Sequence, residues 1–194
     1  VLQGDVSGLL WLAASISLSV IYNLFSKWRW LPRILAEMAL ALSVTLLGVS
    51  GAWVYQHSLP PEALLYCGTL GLVLLLVNSV PSGLKDIQFD SAFGARSFVL
   101  STGSTVTADG DLHLSLFLRR YMVGLQILIT LLSIVLAILY QAGLATWLLL
   151  ALLEVYAGLH VMRLLRLHHV DELKQVILFL GLLFLRQLLL HLRT

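Results

Sequence analysis

The sequence predicts an all-α polytopic membrane bundle of six helices. Three observations carry that expectation: a scarcity of charge, six apolar stretches of bilayer length, and a one-sided distribution of basic residues. Of 194 residues, 59% are hydrophobic and 11% charged, and the mean hydropathy is +0.95. A soluble domain carries about 25% charged residues, so a water-soluble globule and a disordered segment are both excluded. The single cysteine, Cys67, cannot pair within the chain, which excludes a disulfide scaffold. A net charge of +2 is too balanced for a nucleic-acid-binding surface, so the expected partners are the lipid bilayer and apolar ligands, with no nucleic acid.

A hydrocarbon core about 30 Å thick needs roughly 20 mostly apolar residues of helix. Six stretches approach that length: 7–24, 34–56, 63–80, 121–140, 144–162 and 175–192. Unpaired backbone groups are not tolerated in lipid, so each stretch is expected to be helical. The first is not a cleavable signal, because Asp5 precedes it and it has neither a basic leader nor a small-residue cleavage site. Trp28, Trp30, Trp53 and Trp147 fall near helix ends, where an interfacial aromatic belt places them. Glu154, inside the fifth stretch, is expected to pair with a neighbouring helix or to carry a function; Arg186 and Gln187, in the sixth, to snorkel or pair. His160, His168 and His169 read as structural or loop residues in preference to a metal cluster.

Ten of the twelve basic residues lie in the odd-numbered connections: Lys27, Arg29 and Arg33; Lys85, Arg96, Arg119 and Arg120; Arg163, Arg166 and Lys174. The even connections, around Pro60-Pro61 and Gly143, have none. The positive-inside bias then puts the odd connections in the cytoplasm and Val1 outside. The chain reads as one membrane domain, 1–194, whose chemistry sits in a long cytoplasmic loop at 81–120. Within that loop Thr107–Asp111 reads as a turn, and Leu112–Arg120 as an interfacial segment anchored by its two arginines.

The loop opens with Asn78-Ser-Val-Pro-Ser-Gly-Leu-Lys85-Asp86-Ile-Gln-Phe-Asp90-Ser-Ala-Phe-Gly94-Ala-Arg96-Ser97. On a helix, Asp86 and Asp90 project from one face, one turn apart. Carboxylates held that way repel unless a cation lies between them. Mg²⁺ takes hard oxygen ligands and commonly joins carboxylates to substrate phosphates. Lys85 and Arg96 flank the pair, and a guanidinium can grip phosphate oxygens in a bidentate fashion. The bland alternative is a solvated pair of loop charges, with Asp86 bonded to Lys85 or Arg96.

The longer string Lys85-Asp86-Ile87 … Asp90 … Gly94-Ala95-Arg96-Ser97, with Asn78 eight residues before Asp86, resembles the second aspartate-rich motif of the UbiA superfamily of intramembrane prenyltransferases. Ser97 stands where the family commonly has Thr. Ile21-Tyr22-Asn23, followed by Lys27, resembles the family's Tyr-Ser segment and its following Lys, though Asn23 replaces the Ser and the prolines that usually follow are missing. The resemblance implies nine helices, of which these six would be the fourth to ninth. It also implies a first motif of the N-x-x-x-D-x-x-x-D type, which no string in the 194 residues provides. Parity agrees: nine helices starting inside leave the fourth beginning outside.

The resemblance further implies Mg²⁺ as cofactor, a prenyl diphosphate donor and a hydrophobic, usually aromatic acceptor. Asp86 and Asp90 would be the catalytic metal ligands, and Lys85, Arg96 and Lys27 would bind diphosphate. Asn78 and Tyr22 would line the pocket. With half of the metal site, the chain by itself is expected to be inactive, as the C-terminal part of a longer enzyme. Two rivals compete. A CDP-alcohol phosphotransferase needs D-x-x-D-G-x-x-A-R and a later D-x-x-x-D, whereas here Gly94 follows Asp90 by four and no later pair occurs. A non-enzymatic transporter or scaffold would place its polar groups at the bilayer midplane.

Overall fold

The computed structural model describes residues 6–25, 32–95 and 97–169, and the chain divides into two compact units, Val1–Leu75 and Leu76–Thr194. Five helices are long and apolar enough to cross a membrane: Val6–Leu24, Arg33–Gln56, Pro61–Lys85, Leu116–Leu139 and Leu144–Leu165. These correspond to the first five expected spans. The sixth, 175–192, lies outside the described residues. Several apolar helices of this length make the chain a multi-pass membrane protein, because 24 residues at a rise of about 1.5 Å reach across a 30 Å core.

The first unit begins with α1 (Val6–Phe25) and α2 (Arg33–Gln56), which run antiparallel. Their backbones approach through small residues. The Ser15 hydroxyl donates to the Ser43 carbonyl at 2.8 Å and the Ser50 hydroxyl to the Gly8 carbonyl at 2.9 Å, so the same antiparallel register holds at both points. Small residues and interhelical hydroxyls replace the hydrophobic effect as the source of helix association in lipid. His57, in the left-handed region at φ 53°, closes α2 by donating its N–H to the Trp53 carbonyl. Pro61 then opens α3 (Pro61–Val77), at a position where its missing N–H costs nothing. Within this unit α3 approaches α2 closely: a side chain at Gly71 would collide with Thr45, and one at Gly48 would meet the Cys67 sulfur at 2.8 Å.

In the second unit, α3 continues through a π-helical turn at Asn78–Ser82 into two short helices, α4 (Gly83–Lys85) and α5 (Ile87–Ala92), and then α6 (Phe98–Ser101). Pro81 lies inside the π-helical turn, and a residue without an N–H is tolerated where the regular ladder is already interrupted. A small hairpin follows, with Thr105↔His113 and Val106↔Leu112 paired between β1 (Thr105–Val106) and β2 (Leu112–His113).

The turn expected at 107–111 is the hairpin loop, closed by Thr107 N–H to the Asp111 carbonyl at 2.9 Å. The segment 112–120, expected to be interfacial, begins as a strand and ends in a helix. Leu112 and Leu114 are buried with His113 exposed between them, a period of two that a leucine-rich string obscures. Ser115 then caps α7 (Leu116–Leu139), its hydroxyl accepting from Leu118 N–H at 3.1 Å. Arg119 and Arg120 therefore lie on the first turns of a membrane-length helix.

α8 (Leu144–Leu165) packs on α7. On α7 the buried stripe is Leu118, Met122, Gln126, Ile129, Ser133 and Leu136; on α8 it is Leu150, Ala157, Val161 and Leu164. The opposite face of α8 exposes Leu148, Leu152, Val155, Leu159 and Met162, an apolar surface suited to lipid. Glu154 does pair with the neighbouring helix, through Thr130 and Gln126. His160 is buried within α8 against the Tyr156 ring, as a structural histidine would be.

Candidate functional site

The motif residues sit where a membrane-length helix ends. Leu84 and Ile87 are fully buried, as are Val80 and Val99, and they seat α4 and α5 against α6. Gly83 makes the approach possible, because a Cβ there would meet the Val99 side chain at 2.8 Å. With Leu84 and Ile87 turned inward, the chain presents Lys85, Asp86, Phe89 and Phe93 outward, and Asp90 is half-buried beside them. Asp90 N–H donates to the Asp86 carbonyl at 2.8 Å, so the two aspartates are one helical turn apart. Gly94, at φ 65°, ends α5 in the left-handed conformation that favours glycine. Ser97 restarts the chain as the cap of α6, accepting from Leu100 N–H at 3.3 Å.

Asp86 stands at the N-cap of α5 yet makes no side-chain cap hydrogen bond. Among the described residues its carboxylate has no ion pair either, and Lys85 is likewise unpaired although adjacent. The Asp86–Lys85 pairing of the bland alternative is therefore not formed. Asp86 is exposed, and Arg96, the other partner of that alternative, lies outside the described residues. Two carboxylates are an incomplete cage: among the described residues no group of three or more His, Cys, Asp or Glu is placed to hold a metal ion. Hard oxygen donors in this number match an ion that keeps several waters and shares a substrate's oxygens.

The remaining sequence candidates divide by location. Asn78 opens the π-helical turn two turns upstream of Asp86 on the same helical run and is half-buried. Tyr22 is half-buried on α1, in the first unit. Lys27 and Arg96 lie outside the described residues. The structure thus brings together Lys85, Asp86 and Asp90, with Asn78 leading into them.

Two neighbours were not singled out by sequence. Tyr121, near the start of α7, shares a 3.2 Å hydrogen bond with Ser79 of the π-helical turn and sets its ring 5.0 Å from that of Phe98. Its position directly after Arg119-Arg120 was the available signal. Gln88 lies under the hairpin loop: a Cβ at Gly110 would come within 3.3 Å of its side-chain nitrogen and 2.8 Å of His169 Nε2. Strand β2 is tied to the segment after α8 by Leu112 N–H to the His168 carbonyl at 2.7 Å, while β1 packs on α5, the helix that carries Asp90. No family profile, curated protein or solved structure was found to match the chain.

Proposed function

We propose that the chain is the C-terminal membrane domain of a UbiA-like prenyltransferase, which moves an isoprenyl group from a prenyl diphosphate to a hydrophobic, usually aromatic acceptor within the membrane. The observation that carries this reading is the pair Asp86 and Asp90, one helical turn apart at the polar end of a membrane-length helix, with no ion pair at Asp86 among the described residues. The pair belongs to the cytoplasmic face in this reading, with the basic connections, and six helices cross the bilayer.

Asp86 and Asp90 would hold Mg²⁺, which supplies, when bound, neutralisation of the charge that develops on a departing diphosphate. Lys85, Arg96 and Lys27 contribute positive charge for the diphosphate oxygens, and Asn78 and Tyr22 line the pocket. The bond that breaks joins the prenyl C1 to the diphosphate oxygen. The bond that forms joins C1 to the acceptor, which gives up a proton. The apolar helices keep water from competing for the reacting carbon. Since a first acidic motif completes the site in this family, the 194-residue chain alone is expected to be inactive.

Prenyl transfer from a radiolabelled prenyl diphosphate, in membranes of cells that make the longer enzyme this reading requires, tests the assignment. Asp86→Ala or Asp90→Ala should abolish transfer at unchanged protein level. Undiminished transfer by both variants contradicts it.

A second reading, a transporter or scaffold, is favoured by one observation: the polar group of Gln126, Thr130 and Glu154 at mid-helix. A CDP-alcohol phosphotransferase has no such support.

A further inference from the structure

Glu154 is the eleventh residue of the 22-residue α8 and Gln126 the eleventh of the 24-residue α7, and the two meet at 3.3 Å, near the middle of both spans. Toward one end the Leu112 N–H meets the His168 carbonyl at 2.7 Å, so the start of α7 and the end of α8 lie side by side. Four arginines gather there: Arg119 and Arg120 on α7, Arg163 in the last turn of α8 and Arg166 at its C-cap. Arg119 and Arg120 are seven and six residues from Gln126, and Arg163 is nine from Glu154. At about 1.5 Å per residue, their backbones stand roughly 9–14 Å from the mid-helix contact. A hydrocarbon core about 30 Å thick ends about 15 Å from its midplane, and long arginine stems reach over the remaining distance.

All four arginines are exposed. Among the described residues none of them makes an ion pair or a side-chain hydrogen bond. Between the mid-helix contact and this end, neither helix carries an acidic residue. Asp109 and Asp111, in the hairpin loop, form no ion pair with the arginines either. Each arginine pair also continues an exposed apolar strip. On α7, Leu131, Ile127 and Val123 lead in steps of four to Arg119, with Arg120 beside it; on α8, Val155, Leu159 and Met162 lead to Arg163 and Arg166.

We infer that this end of α7 and α8 binds an anionic phospholipid, its phosphate against the arginines and an acyl chain along the apolar strips. A guanidinium takes phosphate oxygens in a bidentate grip, and basic groups between membrane helices are where anionic headgroups bind. A zwitterionic headgroup brings its own cation and gains less from four unpaired ones. A soluble anion would make no use of the strips. The surface shares no residue with the aspartate pair and does not rest on the prenyltransferase reading.

The purified 194-residue chain is equilibrated in uncharged detergent with equimolar phosphatidylglycerol and phosphatidylcholine of identical acyl chains, and the lipid that stays bound is counted by native mass spectrometry. Phosphatidylglycerol should be retained roughly tenfold better. Arg119→Gln with Arg120→Gln, and Arg163→Gln with Arg166→Gln, should each bring the two lipids to within about threefold of one another. If a double variant does not fold, a photoactivatable phosphatidylglycerol on the native chain decides, with adducts expected within 116–131 and 155–166. Equal retention of the two lipids overturns the inference, as do adducts confined to other residues or an undiminished preference in the folded double variants. So does complete displacement of phosphatidylglycerol by an equimolar prenyl diphosphate, which would give the arginines to that donor instead.

Discussion

At the scale of single residues, the contrast between Asp86 and Glu154 shows how position decides what a carboxylate can do. Asp86 is exposed, caps nothing and has no partner among the described residues. Its replacement should therefore leave the fold alone. Asp86→Asn is expected to change stability by less than about 0.5 kcal/mol, read as an unchanged thermal midpoint in detergent. A drop of several degrees would mean that the side chain is structural. Glu154 sits instead in hydrogen bonds to Thr130 and Gln126 at mid-helix. Thr130→Val removes the 2.6 Å bond and should cost about 0.6 kcal/mol, the usual worth of a side-chain hydrogen bond between membrane helices, in a denaturant titration of the α7–α8 pair. The spacing of Asp86 and Asp90 was legible in the sequence because four residues is one helical turn. The partners of Glu154 were not, since Gln126 and Thr130 lie 28 and 24 residues away and only packing of α8 on α7 joins them.

At the scale of elements, apolar length located the five described spans within a few residues at most ends, because hydropathy alone determines what fits a bilayer. It failed where helices extend beyond the apolar stretch. α7 starts at Leu116, ahead of Arg119 and Arg120, because Ser115 supplies the cap and the long arginine stems can reach an interface from a helix. The strand pair at 105–113 was missed because each strand is two residues long, too short for alternation to stand out. Ser115 also ties the hairpin to α7, accepting through Oγ while donating to Thr102 Oγ1 at 3.1 Å, and its N–H donates to Ser104 Oγ at 3.0 Å. Ser115→Ala should cost about 1 kcal/mol and speed amide exchange at Leu118 while exchange in mid-α7 is unchanged. On the other unit, Gly71→Leu pushes a branched side chain into Thr45 and the Ala41 carbonyl. Overpacking of that kind costs about 1–3 kcal/mol, so its unfolding midpoint should fall, whereas Gly51→Leu, with open space around it, should behave like the native chain.

At the scale of the whole molecule, charge and hydropathy together predict a sidedness that no single element carries. Ten of twelve basic residues fall in the odd-numbered connections between the apolar stretches of the sequence. In a Cys67→Ala background, a cysteine at exposed Ser101 should react with an impermeant maleimide only from the cytoplasmic side, and one at exposed Gln141 only from the opposite side. Reaction of both from one side would break the topology. The proposed function requires that topology, because it would put the aspartates on the face where a prenyl diphosphate donor would arrive. Donor binding by the purified chain probes the site most directly. A labelled prenyl diphosphate should be retained better with Mg²⁺ than with EDTA. Asp86→Asn and Asp90→Asn should each weaken that retention roughly tenfold, the equivalent of one charge-assisted contact of about 1.4 kcal/mol. Retention that is indifferent to Mg²⁺ and to both substitutions would contradict a diphosphate site at Asp86 and Asp90.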